Sequence, residues 1–196
     1  MHGVSARWFG WPGIRETTVT NTEEQVMADK VYDILFVCTG NSGRSIMAES
    51  MMRFFSKGRF NTFSGGSARK GAINPHAIDA LRRADLPTDG LRSKNWNEFA
   101  QPGAPAMDFV IEVCDQAAGE VPPTWPGAPM TSNWGVPDPA ATTGSEADIQ
   151  QAFRTARNLL QQRILLLLSF DFNKLDRLAM QSRLNAIGQQ SAAESV

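Results

Sequence analysis

The residues best suited to chemistry stand together in Cys38-Thr39-Gly40-Asn41-Ser42-Gly43-Arg44-Ser45. Cysteine and arginine lie six positions apart, between an apolar run that ends at Val37 and a helical pattern that begins after Ser45. A short loop opening a helix can turn successive backbone N–H groups inward and form an anion-binding concavity. Gly40 and Gly43 are expected to supply the unusual backbone angles of that cradle. Arg44 adds a planar fork of donors for a tetrahedral oxyanion. The helix dipole and Arg44 both favour a thiolate at Cys38, and a thiolate inside an oxyanion cradle is a nucleophile for phosphate-like groups.

The elements that must position this loop alternate along the chain. Ile34 to Val37, Phe60 to Phe63, Met107 to Val113 and Met130 to Trp134 read as strands, the third delivering Cys114 at its C-terminal end. Between them, Met47, Met51, Phe54 and Phe55 recur at helical spacing, Asn74 to Ala84 reads as a helix, and Asn95 to Phe99 as a short one. Gly119 to Pro129 reads as a loop. A long helix follows from Glu146, with Ile149, Phe153, Ala156, Leu160, Ile164 and Leu167 on one face. Asn173 to Ile187 is expected to dock as a terminal helix through Leu175, Leu178 and Ala179. Alternating strands and helices imply an α/β fold with a parallel sheet covered on both faces. Ligands bind such sheets beyond the carboxyl ends of the strands, where Cys38 and Cys114 both fall.

Composition narrows the function classes. A formal net charge of -1 carries no basic excess for a nucleic-acid partner. The longest apolar run, Ile164 to Leu168, is too short to span a bilayer. Two cysteines and two histidines argue against a disulfide framework and against a structural zinc site. His76 follows the capping pair Asn74-Pro75 and is expected to be solvated on the first turn of its helix. Residues 1–26 carry no apolar signal core and read as a disordered extension, with Met27 a candidate start. The expected division is therefore 1–26, a catalytic domain over 27–172, and a terminal helix and tail over 173–196. The expected location is the cytoplasm, where both thiols stay reduced.

Val37 to Glu49, V-C-T-G-N-S-G-R-S-I-M-A-E, resembles the signature of the low-molecular-weight tyrosine phosphatases and of the arsenate reductases that share their fold. The resemblance extends from about Tyr32 to Phe170 and includes Asn74-Pro75, Gly90-Leu91-Arg92-Ser93-Lys94 and the stretch from Cys114 to Gly127. It implies a three-layer α/β/α fold with a four-stranded parallel sheet. Thr39 to Ser45 would bind the oxyanion, Asn41 would hold the loop, and Ser45 would hydrogen-bond the thiolate. Trp134-Gly135-Val136-Pro137-Asp138-Pro139 is similar to the family's Asp-Pro loop, making Asp138 the general acid. Phosphatases of this fold place aromatic residues beside that Asp-Pro, but here Ala140-Ala141 follows, and Tyr32 is the chain's single tyrosine. The reductases instead carry a second cysteine where Cys114 stands.

What the resemblance implies is arsenate reduction by Cys38, Arg44, Asp138 and Cys114, ending in a Cys38–Cys114 disulfide or a mixed disulfide. A phosphomonoester phosphatase, or an oxyanion-binding module without turnover, are the other readings. Similar thioredoxin-linked reductases carry a third cysteine eight positions after the second, which here is Pro122. An external thiol reductant is therefore expected, glutathione with glutaredoxin or a similar small thiol ahead of thioredoxin. No bound cofactor or metal is expected. Asn41, Glu49 and Ser64 match parts of a potassium site known in some relatives, but Lys94 stands near its carboxylate.

Overall fold

Four runs rich in β-branched and aromatic residues form the sheet: Tyr32–Cys38 (β1), Phe60–Gly66 (β2), Phe109–Cys114 (β3) and Met130–Val136 (β4). The computed structural model describes residues 30–114 and 121–190. The expected extension 1–26, Met27, the start of the 119–129 loop and the last residues of the tail lie outside the described residues. All strand pairings are parallel, in the order β2-β1-β3-β4. Because β1 and β3 are central, both of their faces are covered, which explains their near-continuous apolar sequences. Ile34, Leu35 and Phe36 are all completely buried.

Helices Arg44–Phe55 (α1), Pro75–Arg82 (α2), Glu146–Leu168 (α3) and Arg177–Gln189 (α4) share one core with the first face of the sheet. There Ile34, Phe36, Phe109 and Ile111 meet Met47 and Met51 of α1, Phe153, Leu160 and Ile164 of α3, and Met180 and Leu184 of α4. On the second face, Leu35, Val37 and Val110 are covered by the helical turn Trp96–Phe99 and by Met107 and Trp125. The architecture is the expected three-layer α/β/α class, with its second helical layer reduced to that turn and the Trp125 segment.

Local chemistry sets the helix boundaries. Asn74 Oδ1 accepts from the His76 N–H at 2.9 Å and Pro75 opens α2. Ser145 and Asp148 form a reciprocal capping box at the start of α3, and Asp176 caps α4. Arg163 of α3 is buried and donates to the carbonyls of Trp134 and Gly135 at 2.7 and 2.9 Å, fixing the end of β4 that leads to Asp138.

Three expectations need correction. Phe54 is 52% exposed, while α1 buries Ser45, Glu49 and Ser50 along with its apolar residues. Leu178 is 80% exposed, and α4 docks through Met180, Leu184 and Ile187. His76 is half-buried rather than solvated, its ring 5.6 Å from that of Phe153 and its Nδ1 3.4 Å from Glu146 Oε1. Among the described residues, no helix is long and apolar enough to cross a membrane.

Candidate active site

The loop from Cys38 to Ser45 joins the C-terminal end of β1 to the N-terminus of α1. Its carbonyls are consumed from outside. Those of Cys38, Thr39, Gly40 and Ser42 accept from the N–H groups of Ser67, Ala68, Lys70 and Asn74, at 3.3, 2.9, 2.9 and 2.8 Å. In a planar peptide the N–H points opposite to the carbonyl, so these bonds turn the loop amides toward the concave side. No side chain caps α1 at Gly43, which leaves the first helical amides available to an anion.

The left-handed residue in this loop is Asn41, with φ 40°, and not a glycine. Gly43 adopts φ -135° and ψ -89°, outside the helical and extended regions, while Gly40 is not among the positive-φ glycines. A non-glycine residue in the left-handed region is held there by its bonds. Asn41 is completely buried and donates from Nδ2 to Ser45 Oγ and Ser64 Oγ, both at 2.9 Å. Its Oδ1 accepts from the Lys94 N–H at 2.5 Å.

Cys38 is 6% exposed, and its sulfur receives the Asn41 N–H at 3.2 Å. Ser45 Oγ lies 2.9 Å from it. Both groups can donate to a thiolate, the charged form that acts as nucleophile.

Cys38 and Cys114 are both free and line one cleft of about 530 Å³, together with Thr39, Gly40, Ser42, Gly43, Arg44 and Asp138. Strand order brings the cysteines there: β1 pairs with β3, with Val37 opposite Glu112. Continuing that register sets Cys38 beside Val113, so Cys114 stands one residue further along at the end of the neighbouring strand, with adjacent strands about 4.8 Å apart. Burial pushes the Cys114 thiol up, as do the charges of Cys38 and Glu112, against the opposing pull of the Thr39 N–H and Arg44. Cys114 Sγ lies 3.8 Å from Glu112 Oε1.

Arg44 spans the loop and the far wall. Its Nη1 donates to the Val136 carbonyl at 2.8 Å and its Nη2 lies 3.2 Å from Asp138 Oδ2. Asp138 in turn caps the helical turn Pro139–Ala141, Oδ1 accepting from the Ala140 N–H at 3.1 Å. Ala140 and Ala141 line the cleft beside it.

Of the residues expected to bind the oxyanion, Thr39, Gly40, Ser42, Gly43 and Arg44 line the cleft, whereas Asn41 and Ser45 are completely buried behind it. Pro122, at the position of the absent third cysteine, is exposed. Two contributors escaped the sequence reading. Lys70 lines the cleft, its side chain lying over Gly40. Gly66, at the end of β2, lies so close to the loop that an added Cβ would come within 2.6 Å of the Thr39 carbonyl oxygen and 2.8 Å of the Asn41 nitrogen. The Gly65-Gly66 pair at a strand end was the available signal for that close approach.

Over 132 residues the chain is 33% identical to an arsenate reductase of Bacillus licheniformis, covering 67% of this chain and 91% of that protein. An arsenate reductase of Oceanobacillus iheyensis is 31% identical over 131 residues, covering 67% of this chain and 91% of its own length. Among solved structures, an arsenate reductase in its phosphate-binding state matches with a TM-score of 0.59 at 26% identity, covering 71% of this chain and 98% of that one. The tyrosine phosphatase Wzb from Escherichia coli K30, in complex with sulphate, shares the fold, with a TM-score of 0.55 at 19% identity over 70% of this chain and 96% of its own. The family model for low molecular weight phosphotyrosine protein phosphatases matches residues 33–180, and the chain belongs to that family.

Proposed function

We propose that the protein reduces arsenate to arsenite, with Cys38 as nucleophile and Cys114 as the resolving thiol. The observation that carries this reading is the second free thiol in the oxyanion cleft, on the strand next to that of Cys38. The arsenate reductases similar to this chain favour the same substrate.

In the proposed reaction the oxyanion is held by the loop amides and Arg44, which act on charge as it builds. The Cys38 thiolate attacks arsenic, forming an S–As bond, while Asp138 gives a proton to the departing hydroxide. The Cys114 thiolate then attacks the Cys38 sulfur. The S–As bond breaks with its electron pair going to arsenic, so As(V) becomes As(III) and a Cys38–Cys114 disulfide forms. Two electrons from an external thiol restore both cysteines.

A small thiol such as glutathione, with glutaredoxin, suits this cleft as reductant better than thioredoxin does. Cys38 and Cys114 are 6% and 1% exposed, and exchange requires access to the attacked sulfur. Pro122 cannot carry oxidation to the surface. The cytoplasm, which supplies such thiols, is the proposed compartment.

The deciding experiment is arsenate-dependent oxidation of the purified, reduced protein, with the oxidised cysteines mapped by mass spectrometry. A Cys38–Cys114 disulfide, or a Cys38 adduct with the small thiol, is expected. Hydrolysis of p-nitrophenyl phosphate with no arsenate-dependent oxidation would establish a phosphatase instead. Efficient steady-state turnover with thioredoxin alone would overturn the choice of reductant.

A further inference from the structure

One deeply buried ion pair does not line the cleft. Lys94 Nζ lies 2.7 Å from Glu49 Oε2, the two side chains 7% and 4% exposed. Charges taken this far from water cost free energy that their mutual attraction repays only with good geometry and further hydrogen bonds. Those further bonds lead to the nucleophile.

Glu49 Oε2 also accepts from Ser64 Oγ at 2.5 Å, and Oε1 from Arg53 Nη2 at 2.8 Å. With its one proton committed to Glu49, Ser64 Oγ can only accept from Asn41 Nδ2, as it does at 2.9 Å. The second Asn41 amide hydrogen goes to Ser45 Oγ at 2.9 Å, and Asn41 Oδ1 takes the Lys94 N–H. The Asn41 amide therefore has one permitted orientation. Ser45, accepting from Asn41, keeps its own proton for the Cys38 sulfur at 2.9 Å. Lys94 enters twice, through its ammonium at one end of this chain of bonds and through its backbone N–H in the middle. Its carbonyl also accepts from the Gly66 N–H at 3.0 Å, beside the loop.

We propose that Lys94 is a positioning residue for the reaction: its buried ammonium, acting through Glu49, Ser64 and Asn41, sets the direction of the hydrogen bonds that reach the Cys38 sulfur. The ammonium holds Glu49 Oε2 in place as the acceptor of the Ser64 hydroxyl, whose proton therefore points away from Asn41. Without it the donor order along the chain has no anchor, since Arg53 holds the other carboxylate oxygen from a side chain 39% exposed. The inference rests on Cys38 being the nucleophile.

The test uses the full chain as wild type, Lys94→Ala and the double variant Lys94→Met/Glu49→Gln. The double variant removes both charges together, so it carries no unpaired buried ion and guards against a single variant that fails to fold. Three quantities are read: the single-turnover rate of arsenate-dependent Cys38 oxidation, the iodoacetamide alkylation rate at Cys38 by peptide mass spectrometry, and phosphate affinity by calorimetry. Both rates should fall roughly tenfold, the worth of a net hydrogen bond at the sulfur, with phosphate affinity nearly unchanged. In Lys94→Ala, ammonium chloride should recover part of the alkylation rate, whereas tetramethylammonium chloride at equal ionic strength, too large for the vacated space, should not. Wild-type reactivity in the double variant would overturn the proposal. So would a parallel loss of phosphate affinity, which would mark Lys94 as a structural support of the whole loop. If wild type itself shows no arsenate-dependent oxidation, the reductase reading fails, and the alkylation rates still decide the role of Lys94.

Discussion

Arg44 Nη2 lies 3.2 Å from Asp138 Oδ2, joining the start of α1 to the turn that follows β4. The same guanidinium holds the Val136 carbonyl, so the proposed oxyanion donor and the proposed proton donor are tied together. Replacing Asp138 by Asn keeps the turn cap, because an amide oxygen can still accept from the Ala140 N–H, but removes the transferable proton. Asp138→Asn should slow arsenate-dependent Cys38 oxidation by roughly 10²–10⁴-fold, the usual worth of a positioned acid. Phosphate affinity should stay nearly intact. A rapid-quench rate close to wild type would reduce Asp138 to a turn residue that orients Arg44.

Cys38→Ser should abolish arsenate reduction and any phosphatase activity, while oxyanion binding persists through Arg44 and the inward-facing amides. Calorimetric titration with phosphate beside both activity assays separates the two effects. Turnover in this variant would mean that Cys38 is not the nucleophile.

Cys114 supplies the pH signature. Burial pushes its thiol above the ordinary cysteine value, so at neutral pH the protonated form dominates. The attacking species is the thiolate, and below the thiol's pKa its fraction rises about tenfold for each pH unit. The rate of Cys38–Cys114 disulfide formation should therefore climb steadily through neutral and mildly alkaline pH, without levelling off near the ordinary cysteine value. Stopped-flow measurement after arsenate addition checks the slope. A rate independent of pH across that range would place another step, or an external thiol, in control. In that second case Cys114→Ser should retain substantial multiple-turnover activity with glutathione.

Gly66→Ala tests the loop from its outer side. The added methyl would crowd the Thr39 carbonyl and the Asn41 backbone, neither of which can swing away as a flexible side-chain tip could. Overpacking of this kind costs about 1–3 kcal/mol, and here the strain falls on the oxyanion cradle. Phosphate affinity and Cys38 alkylation should drop together, in contrast to the split expected for Lys94. Unchanged phosphate affinity in a folded Gly66→Ala protein would show that the loop adapts.

Much of the site could be read locally because it is made locally. Cys38, the small residues after it, Arg44 and the start of α1 lie within one strand–loop–helix unit, and the strand run and helical spacing on either side fix which end of each element they occupy. The α/β class followed for the same reason, since strand and helix periods differ over a few residues. Asp138 and Cys114 needed more, because an Asp-Pro turn and a cysteine at a strand end are ordinary alone. Their meeting with Cys38 depends on β1 lying beside β3 and β3 beside β4, a strand order that no local spacing encodes.

Periodicity also stops at saying which residues favour an apolar face. The pattern alone assigned Phe54 and Leu178 to packing, yet both are exposed, because neighbours distant in sequence decide which side of a helix is covered. The polar core went the same way. Asn41, Ser45, Glu49, Ser64 and Lys94 carry no pattern that says they are buried, and each would cost free energy there without a partner. The bond from the Lys94 N–H to Asn41 Oδ1 links residues 53 positions apart. The amino-acid sequence by itself pointed to Cys38 as the proposed nucleophile, to Arg44 and to the helix that opens on them. Only the packed structure decided that a buried ammonium stands at the far end of the hydrogen bonds reaching that sulfur, because each link needs a partner from a different strand, helix or loop.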